Sequence, residues 1–224
     1  MNYIEKSALE VNGIAWLEKF ISFHDGFIAG GCFKSIFSNQ TVKDIDIFFR
    51  NSVDYDNAVD YCQRHGGSEE ESNVNEFKFV YENDKCICYR HIETGIKLEL
   101  ISSIFGEPKD ILKQFDFTIS KYAYYNKKID SDFILDDEDE VKYELTCVYH
   151  QDFFEHLTQK KLVIDDKIPF PVSTFERVLR YTSYGYNLCK ESRKKLIVAL
   201  NQIEEIENEQ FSNSFYGNGN GGWD

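Results

Sequence analysis

Apolar positions along the chain come in short runs whose period changes between two and nearly four, and each change marks a passage between strand and helix. Phe27-Ile28-Ala29 is an apolar run ending at Gly30-Gly31, and from Cys32 to Phe37 the apolar residues take helical spacing, which predicts strand, glycine turn and helix. A polar loop, Asn39 to Lys43, leads into Asp44 to Arg50, where polar and apolar positions alternate as in a strand. That period puts Asp44 and Asp46 on one face and Ile45 and Ile47 on the other. Val53 to His65 reads as a helix, and Gly66-Gly67 with the acidic run Glu69 to Glu71 reads as a loop. Three strand-like runs come next, Phe77 to Tyr81, Lys85 to His91 and Ile96 to Ile101, the last two joined by the hairpin turn Glu93-Thr94-Gly95. Pro108 marks a helix start, Lys109 to Phe115 continues it, and Asp116 to Ser120 opens a further ordered segment.

Beyond about Ser131 the acidic run Asp136 to Glu140 precedes segments of helical period at Phe153 to Lys160, Val172 to Leu188 and Ser192 to Glu207. Leu196, Leu200, Ile203 and Ile206 form an apolar stripe in the last of these, and Phe211 to Asp224 is rich in Gly, Asn and Ser.

Composition narrows the class. The 224 residues are 42% hydrophobic and 16% aromatic, enough apolar surface to offset the entropy of ordering a core. No apolar stretch approaches the roughly 18 residues of a membrane span, and Met1 to Val11 lacks the basic and apolar regions of a signal peptide, so the expectation is a cytoplasmic protein without membrane contact. Six scattered cysteines without a CxxC pair read as reduced thiols, and five histidines show no ligand spacing. A formal charge of −14 opposes non-specific contact with polyanions. Lys121, Lys127 and Lys128, or Arg193, Lys194 and Lys195, remain candidates for a local basic patch, against the plainer reading of solvated surface cations.

The chemistry lies in the glycine turn followed by the Asp44-Ile45-Asp46 strand. Alternate strand residues are about 6.7 Å apart, so two carboxylates there can converge on metal ions, and magnesium prefers such hard oxygen ligands while keeping phosphate oxygens in its shell. Glycines let the backbone approach a phosphate closely. Phosphoryl and nucleotidyl transfer need mainly positioning and charge neutralisation, so the absence of a Cys or His nucleophile does not count against the site. Glu99, which alternates out of the apolar strand Ile96 to Ile101, is the candidate third carboxylate, with a solvent-facing Glu on a half-exposed sheet as its alternative.

Gly30-Gly31-Cys32-Phe33-Lys34 with Asp44-Ile45-Asp46, and later Phe115-Asp116-Phe117-Thr118-Ile119-Ser120-Lys121, resemble in order the GGxVRD, DxD and RRDFTINA segments of the DNA polymerase β-like nucleotidyltransferase superfamily. The resemblance is to the head domain of CCA-adding enzymes and bacterial poly(A) polymerases, and it covers roughly Ile21 to Tyr125. It implies an α+β fold, a mixed sheet flanked by helices and followed by a small helical region. Together with the helical period and the composition further along, the division is a nucleotidyltransferase catalytic domain over residues 1–130, a helical region over 131–207 and a flexible Gly/Asn/Ser-rich tail over 208–224. The resemblance implies Mg2+ or Mn2+ as cofactor and a nucleoside triphosphate as donor. Asp44 and Asp46 fall at the metal, Gly30, Gly31 and Lys34 at the triphosphate, and Asp116 near the nucleotide's sugar or as a structural brace. A helix N-cap is a further alternative for Asp116.

Departures accompany the match. Lys34 stands where the family has Arg, Ser35 for Asp, Phe115 for Arg and Ser120 for Asn, and no EDxxR element is found, with Glu176, Arg177 and Arg180 only loosely placed to stand in. Two functions are compatible with the sequence. One is a metal-dependent nucleotidyltransferase acting on an acceptor hydroxyl of RNA, a protein or a small molecule. The other is a catalytically degenerate relative acting as a nucleotide- or partner-binding module. The short chain suggests a minimal version of the fold, of the kind phages or mobile elements carry.

Overall fold

The computed structural model describes residues 2–66, 75–129, 143–165 and 167–205. Gly67, the acidic runs at 69–71 and 136–140, Ile206 and the C-terminal tail lie outside them. In chain order the elements begin with β1 (Tyr3–Ser7), β2 (Phe27–Ala29), α1 (Cys32–Phe37), β3 (Asp44–Phe49), α2 (Ser52–Arg64), β4 (Phe77–Glu82), β5 (Cys86–His91), β6 (Lys97–Phe105) and α3 (Pro108–Leu112). They continue with β7 (Tyr122–Lys128), β8 (Tyr143–His150), α4 (Phe153–Thr158), β9 (Lys161–Leu162), α5 (Pro171–Ser183), β10 (Asn187–Leu188) and α6 (Lys190–Leu200).

Eight strands make one sheet in the order β1-β8-β7-β2-β3-β6-β5-β4. β3 and β6 run parallel and the other neighbouring pairs antiparallel, so the fold is α+β with a large mixed sheet flanked by helices. The parallel pair brings the acids of two strands together, because its register sets Asp46 beside Glu99 and Asp44 beside Lys97. A small parallel pair, β9 with β10, ties the helical region together.

The sheet has a core on each face. Ile45, Ile47 and Phe49 of β3 join the larger one with Ile28, Leu98, Leu100, Tyr122 and Tyr124. Phe48 belongs to the smaller one with Phe27, Ala29, Ile101, Phe115 and the α3 residues Ile111 and Leu112. β3 therefore buries one side completely and the other only from Phe48 onward, leaving Asp44 exposed and Asp46 half-buried upstream. Alternation along one strand thus delivers two carboxylates to a surface next to a packed sheet.

Three strands of the large sheet, and both strands of the small pair, differ from the sequence-based expectation. The pattern along the chain does not predict β1, β7 or β8, and β8 lies in the stretch expected to be helical from about Ser131, so strand character extends to His150. For β7 the reason is burial on both faces: Tyr122, Ala123, Tyr124 and Tyr125 are all buried, which removes the alternation that identifies a half-exposed strand. α5 also ends earlier than its apolar period suggests. Gly185 takes a φ of +86°, which lets the Tyr186 amide donate back to the Tyr181 carbonyl at 3.0 Å and closes the helix.

Candidate functional site

Between the exposed edge of β3 and the α5 helix lies a cleft with a volume of about 480 Å³. Gly31, Lys34, Asp44, Asp46, Glu99 and Asp116, six of the seven site residues expected from sequence, line it. Gly30 lies one residue outside, and its contacts explain its place. Its φ is +102°, and a Cβ there would stand 3.3 Å from Asp46 Oδ2 and 3.3 Å from the Phe115 ring. The glycine therefore permits both the turn and the close approach of Asp46. Gly31 is different, because a Cβ there would meet nothing within 4 Å and would project into open space at the cleft. No neighbour among the described residues requires Gly31 to lack a side chain.

The sheet wall carries the acids. Glu99 Oε1 accepts a hydrogen bond of 2.6 Å from the Tyr81 hydroxyl. Burial raises the Glu99 pKa above the usual carboxylate range and the charge of Asp44 adds to the rise, while the Tyr81 hydrogen bond and Lys97 oppose it. Among the described residues no group of three or more His, Cys, Asp and Glu side chains is gathered closely enough to hold a metal ion. Asp44 and Asp46 still fit magnesium in donor chemistry. It is bound through one or two carboxylates, the rest of its shell coming from water and substrate phosphate.

The opposite wall carries cations. Lys34 is only 8% exposed, and its ammonium lies 5.7 Å and 5.8 Å from the ring centroids of Tyr181 and Tyr184. Its hydrogen bond to Gln40 Oε1 is long, at 3.5 Å, and among the described residues no carboxylate pairs with it or with Arg180. Burial lowers the Lys34 pKa and the neighbouring Arg180 lowers it further. Two cations brought together without an anion leave this wall poised for one.

Asp116 is occupied by the protein itself. Its Oδ1 accepts from the Phe117 amide at 2.9 Å, and its Oδ2 accepts from Thr174 Oγ1 at 3.0 Å and from Arg177 Nε at 2.8 Å. Of the three roles open at the sequence level, these bonds describe a brace between the segment after α3 and the first half of α5. Sequence reasoning places Arg177 and Arg180 only loosely and misses Tyr81, Tyr181 and Tyr184. The spacing of Thr174, Arg177, Tyr181 and Tyr184 along one helical face is the available signal.

The basic residues weighed as a local patch against plain solvated surface cations contribute none of their number to the cleft lining. Lys121 is 1% exposed and pairs with Asp165 at 3.3 Å, Lys127 pairs with Glu5, and neither lines the cleft that Arg180 does.

Comparison with known proteins adds an independent view. The profile of the Gabija anti-defense 2 (Gad2) family matches residues 4–160. "Gabija anti-defense 2" of Bacillus phage SPbetaL7 is 25% identical over 192 residues, covering 83% of this chain and 41% of the relative. The chain thus spans about two fifths of that relative's length. Among solved structures, a CCA-adding enzyme in complex with CTP superposes with a TM-score of 0.60 at 13% identity, covering 95% of this chain and 50% of that one. The Thermotoga maritima CCA-adding enzyme complexed with tRNA gives 0.59 at 14% identity, covering 90% and 47%. A tRNA nucleotidyltransferase complexed with a primer tRNA and an incoming ATP analogue gives 0.52 at 18% identity, covering 89% and 54%. At these identities the likeness is one of fold.

Proposed function

The chain belongs to the Gabija anti-defense 2 family, and on that premise we propose that it is a metal-dependent nucleotidyltransferase through which a phage counters the Gabija defence in the host cytoplasm. One observation carries this reading: a single cleft sets the Asp44, Asp46 and Glu99 carboxylates on one wall against the Lys34 and Arg180 cations on the other. A metal triphosphate complex matches both walls, since its cation answers the acids and its phosphates answer the bases.

Asp44 and Asp46 would hold Mg2+ or Mn2+, which when bound neutralises phosphate charge and polarises the phosphoryl group. Lys34 and Arg180 hold the β- and γ-phosphates. Gly31 leaves the backbone bare where the phosphates approach. The acceptor hydroxyl oxygen forms a bond to Pα as the Pα–O bond to the β-phosphate breaks and pyrophosphate leaves. The hydroxyl proton passes to Glu99, whose carboxylate is held in place through the Tyr81 hydrogen bond to Oε1. Asp116 fixes α5 and with it Arg177 and Arg180, so it acts as a positioning residue.

A protein hydroxyl is the acceptor we favour over RNA. The chain carries a net charge of −14, and Lys121 and Lys127, which an RNA channel would use, are buried or paired elsewhere. The test is incubation with each nucleoside triphosphate labelled at the α- or γ-phosphate, together with magnesium and an extract of cells carrying the defence. Label entering a protein band from the α-position alone supports the reading. Label entering RNA moves the acceptor, and inhibition of the defence without any transfer favours the binding-module function.

A further inference from the structure

The register of the large sheet aligns two rows of polar side chains across β3, β6, β5 and β4. Directly paired strand residues share a face, so Asp46, Glu99, Cys88 and Tyr81 make one row, and the 2.6 Å hydrogen bond from the Tyr81 hydroxyl to Glu99 spans it. On the same face the neighbouring row reads Asp44, Lys97, Arg90 and Lys78. Its first member lines the cleft, and its last lies on β4, the edge strand of the sheet. Like charges placed opposite one another destabilise a sheet, because their Cβ atoms stand only about 5 Å apart. Lys97 has Asp44 beside it on β3 and Glu99 two residues along its own strand. Arg90 has a lysine on either side, Lys97 of β6 and Lys78 of β4, and it is the one exposed residue of β5. Among the described residues no acid forms an ion pair with Arg90 or Lys97. A chain with 39 acidic residues against 25 Lys and Arg thus sets three cations side by side, and a local conflict of this kind is expected where a surface serves a ligand.

We infer that this row is the docking surface for an acidic segment of the acceptor polypeptide, with its acids over Arg90 and Lys78 and its hydroxyl at the Asp44 and Asp46 corner. The inference rests on the transferase reading with a protein hydroxyl as acceptor, and it adds how that acceptor is recognised. Neighbouring strands lie about 4.8 Å apart, which sets Arg90 roughly 10 Å and Lys78 roughly 14 Å from β3. An extended chain advances about 3.4 Å per residue, so the acids fall about three and four positions from the hydroxyl. Charge decides the class of partner. The row is short and ends at Asp44, beside Asp46 and Glu99, so it matches a segment with acids at one end and a neutral hydroxyl at the other. A polynucleotide would carry its phosphates onto that acid corner. Exposed cations give register and specificity more than affinity, and their contribution is screened by salt.

The test uses the full chain and fluorescent peptides of one length. Each carries serine, threonine or tyrosine with two glutamates at the third and fourth positions, on the N-terminal side in one set and the C-terminal side in the other. Controls carry glutamine in place of glutamate, and a single-stranded oligothymidine supplies phosphates instead of carboxylates. Fluorescence polarisation at low salt should show one glutamate set binding about tenfold more tightly than its glutamine control, with the preference lost at high salt. Arg90→Gln with Lys78→Gln should abolish the preference, and Arg90→Lys should retain it. Arg90→Gln alone should unfold at or above the wild-type midpoint, since it relieves repulsion between neighbouring cations. No preference for glutamate, an undiminished preference in the double variant, a lowered midpoint for Arg90→Gln, or tighter binding of oligothymidine overturns the docking surface. A glutamate peptide that binds with the expected preference but accepts no label from any α-labelled triphosphate upholds the surface and overturns instead the transferase reading on which it stands.

Discussion

Asp116 illustrates how a residue's role depends on its partners as well as on the motif around it. The motif alone leaves open whether this carboxylate lies near a sugar, caps a helix or braces the fold. Three donors from the protein converge on it, and the Arg177 guanidinium is the strongest of them. Removing the charge from a buried pair leaves its partner uncompensated, which typically costs about 3–5 kcal/mol, less where one partner reaches solvent as Arg177 does. Asp116→Asn should therefore lower stability by about 2–3 kcal/mol in urea unfolding, and it should reduce nucleotide binding through displacement of α5. Unchanged stability would show that the pair is not formed in solution. At this scale the sequence is most informative for Asp44 and Asp46, because the strand period alone places them on one face. It is least informative for Lys121, whose burial depends on Asp165, 44 residues further on.

Elements are fastened to one another by a few polar contacts, and these set the response to acid. Glu5 on β1 binds Lys127 of β7 and Lys109 of α3, and those two ammonium groups hold its pKa down to about 2. Its contribution is complete above the ordinary carboxylate value of 4.5 and is lost as pH falls toward 2; with both lysines half-exposed, it amounts to about 1–2 kcal/mol. His24, in the turn before β2, accepts from the Gly26 amide at 2.9 Å, and burial lowers its pKa to about 4. The folded protein keeps it neutral where the unfolded chain protonates. Stability is thus full above pH 6.5 and declines by roughly 3 kcal/mol as pH falls to 4. Burial lowers the pKa of His91, His150 and His156 as well, so unfolding free energies measured from pH 8 to 3 should drop first in the histidine window, and His24→Gln should make that first decline shallower. An identical slope in the variant would assign the loss to other groups. Of the strands that go unread in the sequence, β1 and β8 pair Tyr3 with His150, a contact that no local pattern encodes.

Over the whole molecule, the fold resembles that of about half of each CCA-adding enzyme, while the family carries the name Gabija anti-defense 2. What the two share on this chain is the cleft. The sequence conveys the order of its motifs and the acids of one wall. The other wall is assembled from α1 and α5, about 140 residues apart, and becomes visible only when packing brings Lys34 beneath Tyr181 and Tyr184. The large sheet includes β8, so its strands extend along the chain to His150.

Whether Asp44 and Asp46 support catalysis is tested most directly by comparing the wild type with the Asp44→Asn, Asp46→Asn double variant. Both carboxylates lie on the partly open side of β3, so neutralising them changes little volume and should leave thermal unfolding within a few degrees of wild type. Loss of metal-assisted charge stabilisation, commonly several kcal/mol, should lower the rate of pyrophosphate release and label transfer by several powers of ten, and a chelator should do the same to the wild type. Protection of the phage against the defence should disappear together with transfer. A folded double variant that still protects the phage as well as wild type would contradict a catalytic role for the two carboxylates.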